Sequence, residues 1–156
     1  MALVFLGAGS LGLPPVVIWN ASHSVPVGLY QIADQPVVRG QLALIKLPSD
    51  IAVFANARGY LPVSAYLLKP IVGISGDRVC RIATVVTINA RMITIASVAD
   101  SAGHRLPRWQ GCRVLRDGQI FVLATRAGSF DGRYFGVLTV DSIVGRARAI
   151  WTPKDR

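Results

Sequence analysis

The sequence predicts an all-β domain of barrel-like or coiled-sheet form, with one N-terminal membrane-anchor helix and at most one or two short helices. Three observations predict it. From Gly28 onward, short runs rich in Val, Ile, Leu and Thr recur at close spacing between Gly, Pro, Asp and Asn, which is the pattern of many short strands. Only residues 49–57 read as a helix, with Ser49 or Asp50 as its cap after Pro48. Ahead of both, Ala2 to Trp19 is apolar apart from Ser10, marginally long enough to cross a bilayer.

Taken in order, residues 1–19 are expected to form the anchor. Gly7, Gly9, Gly12, Pro14 and Pro15 weaken a helix in water but are better tolerated in lipid, and Trp19 falls where an interfacial aromatic belongs. No basic residue precedes the apolar run, so it is not a complete signal peptide as it stands. Residues 20–156 then form one domain, with strands expected at 29–32, 41–47, 67–74, 79–88, 92–95, 118–123 and 134–140. The run from Thr84 to Ile95 reads as a hairpin turning at Asn89-Ala90-Arg91. There is no internal repeat, low-complexity tract or linker.

Composition narrows the function. The 156 residues suffice for one cored domain. Hydrophobic residues make up 52% of the chain and its mean hydropathy is +0.47, which sets part of it in or against a membrane. The net charge is +9, with no Glu and few Lys. Such a surface suits anionic lipid or nucleic acid. No Arg-rich recognition helix or RNA-binding aromatic motif is present, so membrane lipids are the expected partner and nucleic acid is not.

Two histidines, His23 and His104, leave little material for a His-based triad or a zinc site, and no metal or cofactor is expected. Cys80 and Cys112 lack metal-ligand spacing. In an oxidising compartment they could pair, which would contribute about 3 to 4 kcal/mol in the chain-entropy model; in a cytosolic protein they would be two small buried residues. The run Gly7-Ala8-Gly9-Ser10-Leu11-Gly12 mimics a dinucleotide fingerprint. A Rossmann unit needs a helix straight after the third glycine, and Pro14 and Pro15 interrupt it.

The stretch Ser22-His23-Ser24-Val25-Pro26-Val27-Gly28-Leu29-Tyr30 follows the apolar segment directly. Its Ser24 is the candidate nucleophile, although a serine near Pro and Gly is ordinarily a turn residue. A serine hydroxyl needs a base to remove its proton, and a lysine serves at neutral pH only when burial lowers its pKa. Of the three lysines, Lys46 lies in a strand near Pro48 and Lys154 in the polar tail, which leaves Lys69, set within the apolar run Tyr66-Leu67-Leu68-Lys69-Pro70-Ile71-Val72-Gly73. Pattern alone leaves two readings of Lys69: a buried base, or a strand residue with its head in water. His23 is unsuited to serve Ser24, since neighbours on an extended segment face opposite ways.

Together with Ser129-Phe130-Asp131-Gly132-Arg133-Tyr134-Phe135-Gly136, these stretches resemble, in order, the three main boxes of type I signal peptidases with a Ser-Lys dyad. The S-x-P-x-G-L-Y form of the first box is similar to the conjugative-transfer branch, the TraF type. The resemblance implies a signal-peptidase-like coiled sheet, Ser24 as nucleophile and Lys69 as general base. It implies Ser22 as the hydroxyl that joins the Ser24 N–H in an oxyanion hole, and Ser129 as the residue that orients the base. Asp131 and Arg133 match a bracing pair behind the site, and Asp77 belongs to a turn supporting the base-bearing strand.

It further implies an enzyme of the bacterial inner membrane, with its catalytic domain on the periplasmic side, processing an exported, pilin-like precursor. The chain departs from the family pattern at Ser75, where Pro is usual, and at Gly132, where Ser is usual. It departs again at Val25 and Pro26, where general bacterial enzymes have Met after the serine and Pro three residues on. That last departure bears on substrate choice. A general signal peptidase and a non-catalytic β-domain of a secretion assembly stay open as alternatives.

Overall fold

The computed structural model describes residues 2–5, 16–36 and 38–153. The larger of its two sheets has eight antiparallel strands in the order β1-β2-β3-β12-β4-β5-β10-β11. These are β1 (Ala2–Phe5), β2 (Val16–Asn20), β3 (Gly28–Ala33), β4 (Leu42–Lys46), β5 (Tyr66–Gly73), β10 (Gln119–Val122), β11 (Leu138–Thr139) and β12 (Ile143–Trp151). The smaller sheet has the order β8-β7-β6-β9, made of β6 (Arg78–Ile82), β7 (Val85–Ile88), β8 (Arg91–Ile95) and β9 (Gly111–Val114). The helices are α1 (Ser49–Ala57) and the single-turn α2 (Gly132–Phe135).

The helical anchor expected over 1–19 is not what its described parts form. Val16–Asn20 is a strand paired along β3, and Ala2–Phe5 pairs antiparallel with β2. The sequence gives a physical reason for β2: Val16, Val17 and Ile18 are β-branched and follow Pro15, so the run favours extended backbone. Residues 6–15, the middle of that expected helix, lie outside the described residues. No helix among the described residues is long and apolar enough to cross a membrane.

Residues 134–140, expected as a strand, instead hold the second half of α2 and the two-residue β11. The Asp131 carboxylate accepts from the Arg133 N–H and caps α2, which starts a helical turn where the apolar pattern suggested a strand. Helix α1 occupies 49–57 with Pro48 at its N-cap position and Asp50 in its first turn, where a negative charge meets the helix dipole favourably.

Strand β5 lies inside the large sheet, between β4 and β10, so both of its edges are paired, and apolar clusters cover its two faces. Leu67 and Ile71 join one apolar cluster with Ala43, Ile45, Ile120 and Val122. Leu68 joins another with Ile18, Tyr30, Leu44 and Ala147. Beside Pro70, which has no N–H to offer, β10 shifts register between Phe121 and Val122. The small sheet packs Val79, Val86 and Ile88 against Leu115, Phe121 and Leu123. Cys80 and Cys112 stand opposite each other on β6 and β9 and are joined by a disulfide. The hairpin of β7 and β8 turns at Asn89 and Ala90, both at positive φ (51° and 66°), which fits the twist of the flanking strands.

Gly28 begins β3 at φ 153°, and a Cβ there would lie 2.2 Å from the Trp151 carbonyl oxygen. Neither backbone can yield without parting β3 from β12. Gly28→Ala is therefore expected to cost about 2 kcal/mol or more, a fall of roughly 4–8 °C in Tm by calorimetry. An unchanged Tm would show that β3 and β12 are not held this tightly.

Candidate active site

Lys69 projects from the middle of β5 opposite Ala43 on β4, the smallest neighbour a sheet can offer short of glycine. It is 2% exposed, so of the two readings open from the sequence the structure selects the buried one. Burial lowers its pKa from 10.5 to about 8, with Asp131 opposing and Arg133 adding to the shift. The Lys69 ammonium donates to Ser129 Oγ at 2.5 Å, and Ser129 Oγ donates to Ser24 Oγ at 3.4 Å. Three side chains from distant parts of the sequence thus form one hydrogen-bonded chain. Its link is Ser129, itself only 3% exposed.

The loop that carries Ser24 is held by a residue that sequence reasoning missed. Asn20, at the end of β2 and buried, gives its amide N–H groups to the carbonyls of Ser22 (2.9 Å), Val25 (3.3 Å) and Pro26 (3.0 Å). Its Oδ1 accepts the Ser22 backbone N–H (3.1 Å) and the Ser22 hydroxyl (2.8 Å). Tyr30 closes the same loop from β3, its hydroxyl donating to the Pro26 carbonyl at 2.6 Å. An asparagine ahead of a turn is common, and the one local pattern that marks this one, the tripeptide Asn20-Ala21-Ser22, does not point to this role. The Ser22 hydroxyl therefore sits beside Ser24 but is engaged with Asn20.

Behind Lys69, Asp131 and Arg133 are fully buried. Arg133 Nε and Nη2 reach the two Asp131 oxygens at 2.8 and 3.0 Å, a bidentate pair. The remaining guanidinium N–H groups go to the carbonyls of Ala124, Ala127 and Arg126 and to the Thr94 hydroxyl. Asp131 Oδ2 also accepts the Ala124 N–H at 3.0 Å. The pair thus ties together the whole 124–133 loop, which includes Ser129. Arg81, likewise buried, adds a bond from Nη1 to the Arg133 carbonyl.

Asp77 lies apart from this group. It accepts from Arg39 (2.9 Å), the Ile74 N–H (2.9 Å) and Asn89 (2.8 Å). Burial alone would raise its pKa, but the bonds from Arg39, Ile74 and Asn89 outweigh that and hold it low. Its role is to fix the turn from β5 into β6. Of the departures from the family pattern named above, Ser75 bonds Asp117 at the surface. Gly132 is sterically required here, since a Cβ would sit 2.6 Å from the Val122 carbonyl oxygen.

Ser22, Ser24, Lys69 and Ser129 all line one cavity of about 460 Å³. Its walls are mainly apolar, from Ile18, Leu44, Leu67, Leu68, Leu106 and Phe130, and its rim carries Tyr60 and Asp100. The Tyr60 hydroxyl donates to Asp100 at 2.6 Å across that rim. No group of three or more metal-ligating side chains occurs among the described residues. A cavity of this size admits an extended peptide segment. At its floor, a hydroxyl is linked through a second hydroxyl to an amine of depressed pKa, the combination that acyl transfer needs.

A family model described as "Signal peptidase, peptidase S26" matches residues 1–152. The chain is 30% identical over 163 residues to the plasmid transfer protein TraF of Escherichia coli, covering 97% of this chain and 90% of that one. It is 32% identical over 162 residues to the conjugal transfer protein TraF of Agrobacterium fabrum, covering 96% and 90%. Among solved structures, a signal peptidase I from Enterococcus faecalis aligns with 73% of this chain and 98% of its own, at a TM-score of 0.43 and 19% identity.

Proposed function

Because the chain belongs to the signal peptidase (peptidase S26) family, we propose that it cleaves exported precursor proteins as a serine endopeptidase, with Ser24 as nucleophile and Lys69 as base. The observation that carries this reading is the chain Lys69 Nζ, Ser129 Oγ, Ser24 Oγ on the cavity floor. In the reactive state Lys69 is neutral. Ser24 passes its proton through Ser129 to the Lys69 amine, and its oxygen attacks the scissile carbonyl. The oxyanion is met by the Ser24 N–H and by the Ser22 hydroxyl once that turns from Asn20 Oδ1. A donor so placed is worth about 100-fold or more in rate.

Lys69 then protonates the leaving amine, and water, activated in the same way, hydrolyses the acyl-enzyme. No metal or nucleotide takes part. The relatives named for plasmid and conjugal transfer support a role in conjugation; the precursor assigned to it in this reading is a pilin-like subunit. The disulfide between Cys80 and Cys112 supports an oxidising compartment such as the periplasm, and the basic composition supports a place beside anionic lipid.

The test is the pH profile of precursor cleavage by the full chain under single-turnover conditions. Since only neutral Lys69 accepts a proton, the rate is expected to rise about tenfold per pH unit below 8 and to level off above it. A profile flat between about pH 6 and 10 would remove Lys69 from the role of base.

A further inference from the structure

The cavity carries a carboxylate that the chemistry of Ser24 and Lys69 does not use. Among the described residues that line it, only Lys69 and Asp100 bear charge. With Lys69 neutral in the reactive state, the one full charge facing a bound segment is therefore negative, in a chain whose net charge is +9. Apolar walls focus the field of such a group into the cavity.

Asp100 has no strong cation of its own. Asp77 and Asp131 are each paired with an arginine, whereas Asp100 meets only His104, whose Nδ1 lies 3.4 Å from Oδ2 and which is charged only when protonated. Its other donors are neutral. The Ala102 and His104 N–H groups reach Oδ1 at 2.9 and 2.8 Å, and the Tyr60 hydroxyl reaches Oδ2. These bonds, that of Tyr60 foremost, hold its pKa down to about 2, so it stays ionised at any working pH. One carboxylate with no second beside it is a poor site for a hard divalent metal. It suits a single ammonium or guanidinium.

We propose that Asp100 selects precursors with a lysine or arginine near the scissile bond, its carboxylate taking the basic side chain at the cavity rim. The apolar walls cover the stem of that side chain, and an acidic residue at the same place is repelled. An extended segment advances about 3.3 Å per residue and the cavity holds a short one, so the basic residue falls within about four residues of the bond cut. The inference rests on the reading of the cavity as a peptidase site and adds a substrate preference to it.

Peptides with norleucine, lysine or glutamate placed in turn at each of those positions test it. For the full chain, lysine at one position is expected to raise kcat/KM about 5-fold or more over norleucine, and glutamate to lower it. In Asp100→Asn the amide can still accept the loop N–H groups and donate to the Tyr60 oxygen. There the lysine advantage, read as a ratio within one enzyme, should disappear. The Kd values of the same peptides for Ser24→Ala, with and without Asp100→Asn, give that ratio without turnover. No lysine preference at any position, or one that Asp100→Asn leaves intact, overturns the proposal. A preference that shows in Kd and depends on Asp100, with no cleavage by the parent chain, would overturn the peptidase reading and leave the basic-residue site standing.

Discussion

Replacing Lys69 with Met is expected to lower kcat for precursor cleavage about 10⁴-fold or more, Ser24→Ala to do the same, and the double variant to be no worse than either. Groups that act as one unit lose their effect together, so non-additivity is the part of the result that separates a working dyad from two unrelated lesions. Single-turnover cleavage of a precursor reads it. Continued processing by Lys69→Met, or losses that multiply, would sink the assignment.

The same variant should be more stable than the parent. The folded pKa of Lys69, about 8, lies below its ordinary 10.5, so between those values the unfolded chain binds more protons and stability rises with pH. Below pH 8 the full cost of the buried ammonium is borne, about 3 kcal/mol. Lys69→Met removes this slope, and urea titrations at pH 7 and pH 10 would detect the change. An inactive variant that is as stable as the parent or more so excludes misfolding as the cause of inactivity.

Asp131→Ala is the substitution expected to cost most in stability, about 3–5 kcal/mol, because it leaves the Arg133 guanidinium buried without its counter-charge. It also strips the Ala124 and Arg133 N–H groups of their acceptor and uncaps α2. Arg133→Met should cost a similar amount, since Arg133 satisfies the carbonyls of Ala124, Ala127 and Arg126 as well. A double-mutant cycle by urea unfolding should show the two losses far from additive. A cost under about 1 kcal/mol for Asp131→Ala would place the pair among surface ion pairs.

Much of this could be read from the chain. Helix α1 was legible because Pro48 and Asp50 mark its start and Ala52, Ala55 and Ala57 favour it, and β3 and β5 because β-branched and apolar runs end at Gly, Pro or Asp. Strand β12 was not read as one: Gly145, Arg146 and Arg148 interrupt its apolar pattern, yet it lies between β3 and β4 in the large sheet. Its Arg side chains stand where the sheet leaves room for them, a tertiary fact with no local trace. Strand β2 was masked by hydropathy, since a run that is apolar on both faces reads alike as a membrane helix and as a strand packed in a sheet.

At the site, Ser24 and Lys69 could be proposed from apolar flanks and motif spacing. That Ser129 links them depends on the fold of the 124–133 loop, which Arg133 sets through carbonyls that any sequence would supply. Asn20 was silent for a related reason: its partners are mostly backbone groups, and backbone groups leave no pattern.

Asn20 has a consequence for how the protein is made. Asn20-Ala21-Ser22 reads as an acceptor for N-linked sugar, and a eukaryotic secretory pathway meets that tripeptide before β2 has closed over it. A glycan on Nδ2 would take up the nitrogen that holds three carbonyls of the Ser24 loop, and would need space where the residue is 4% exposed. Material from such a host would carry an unclosed loop, so the choice of expression host alone can decide whether a preparation is active.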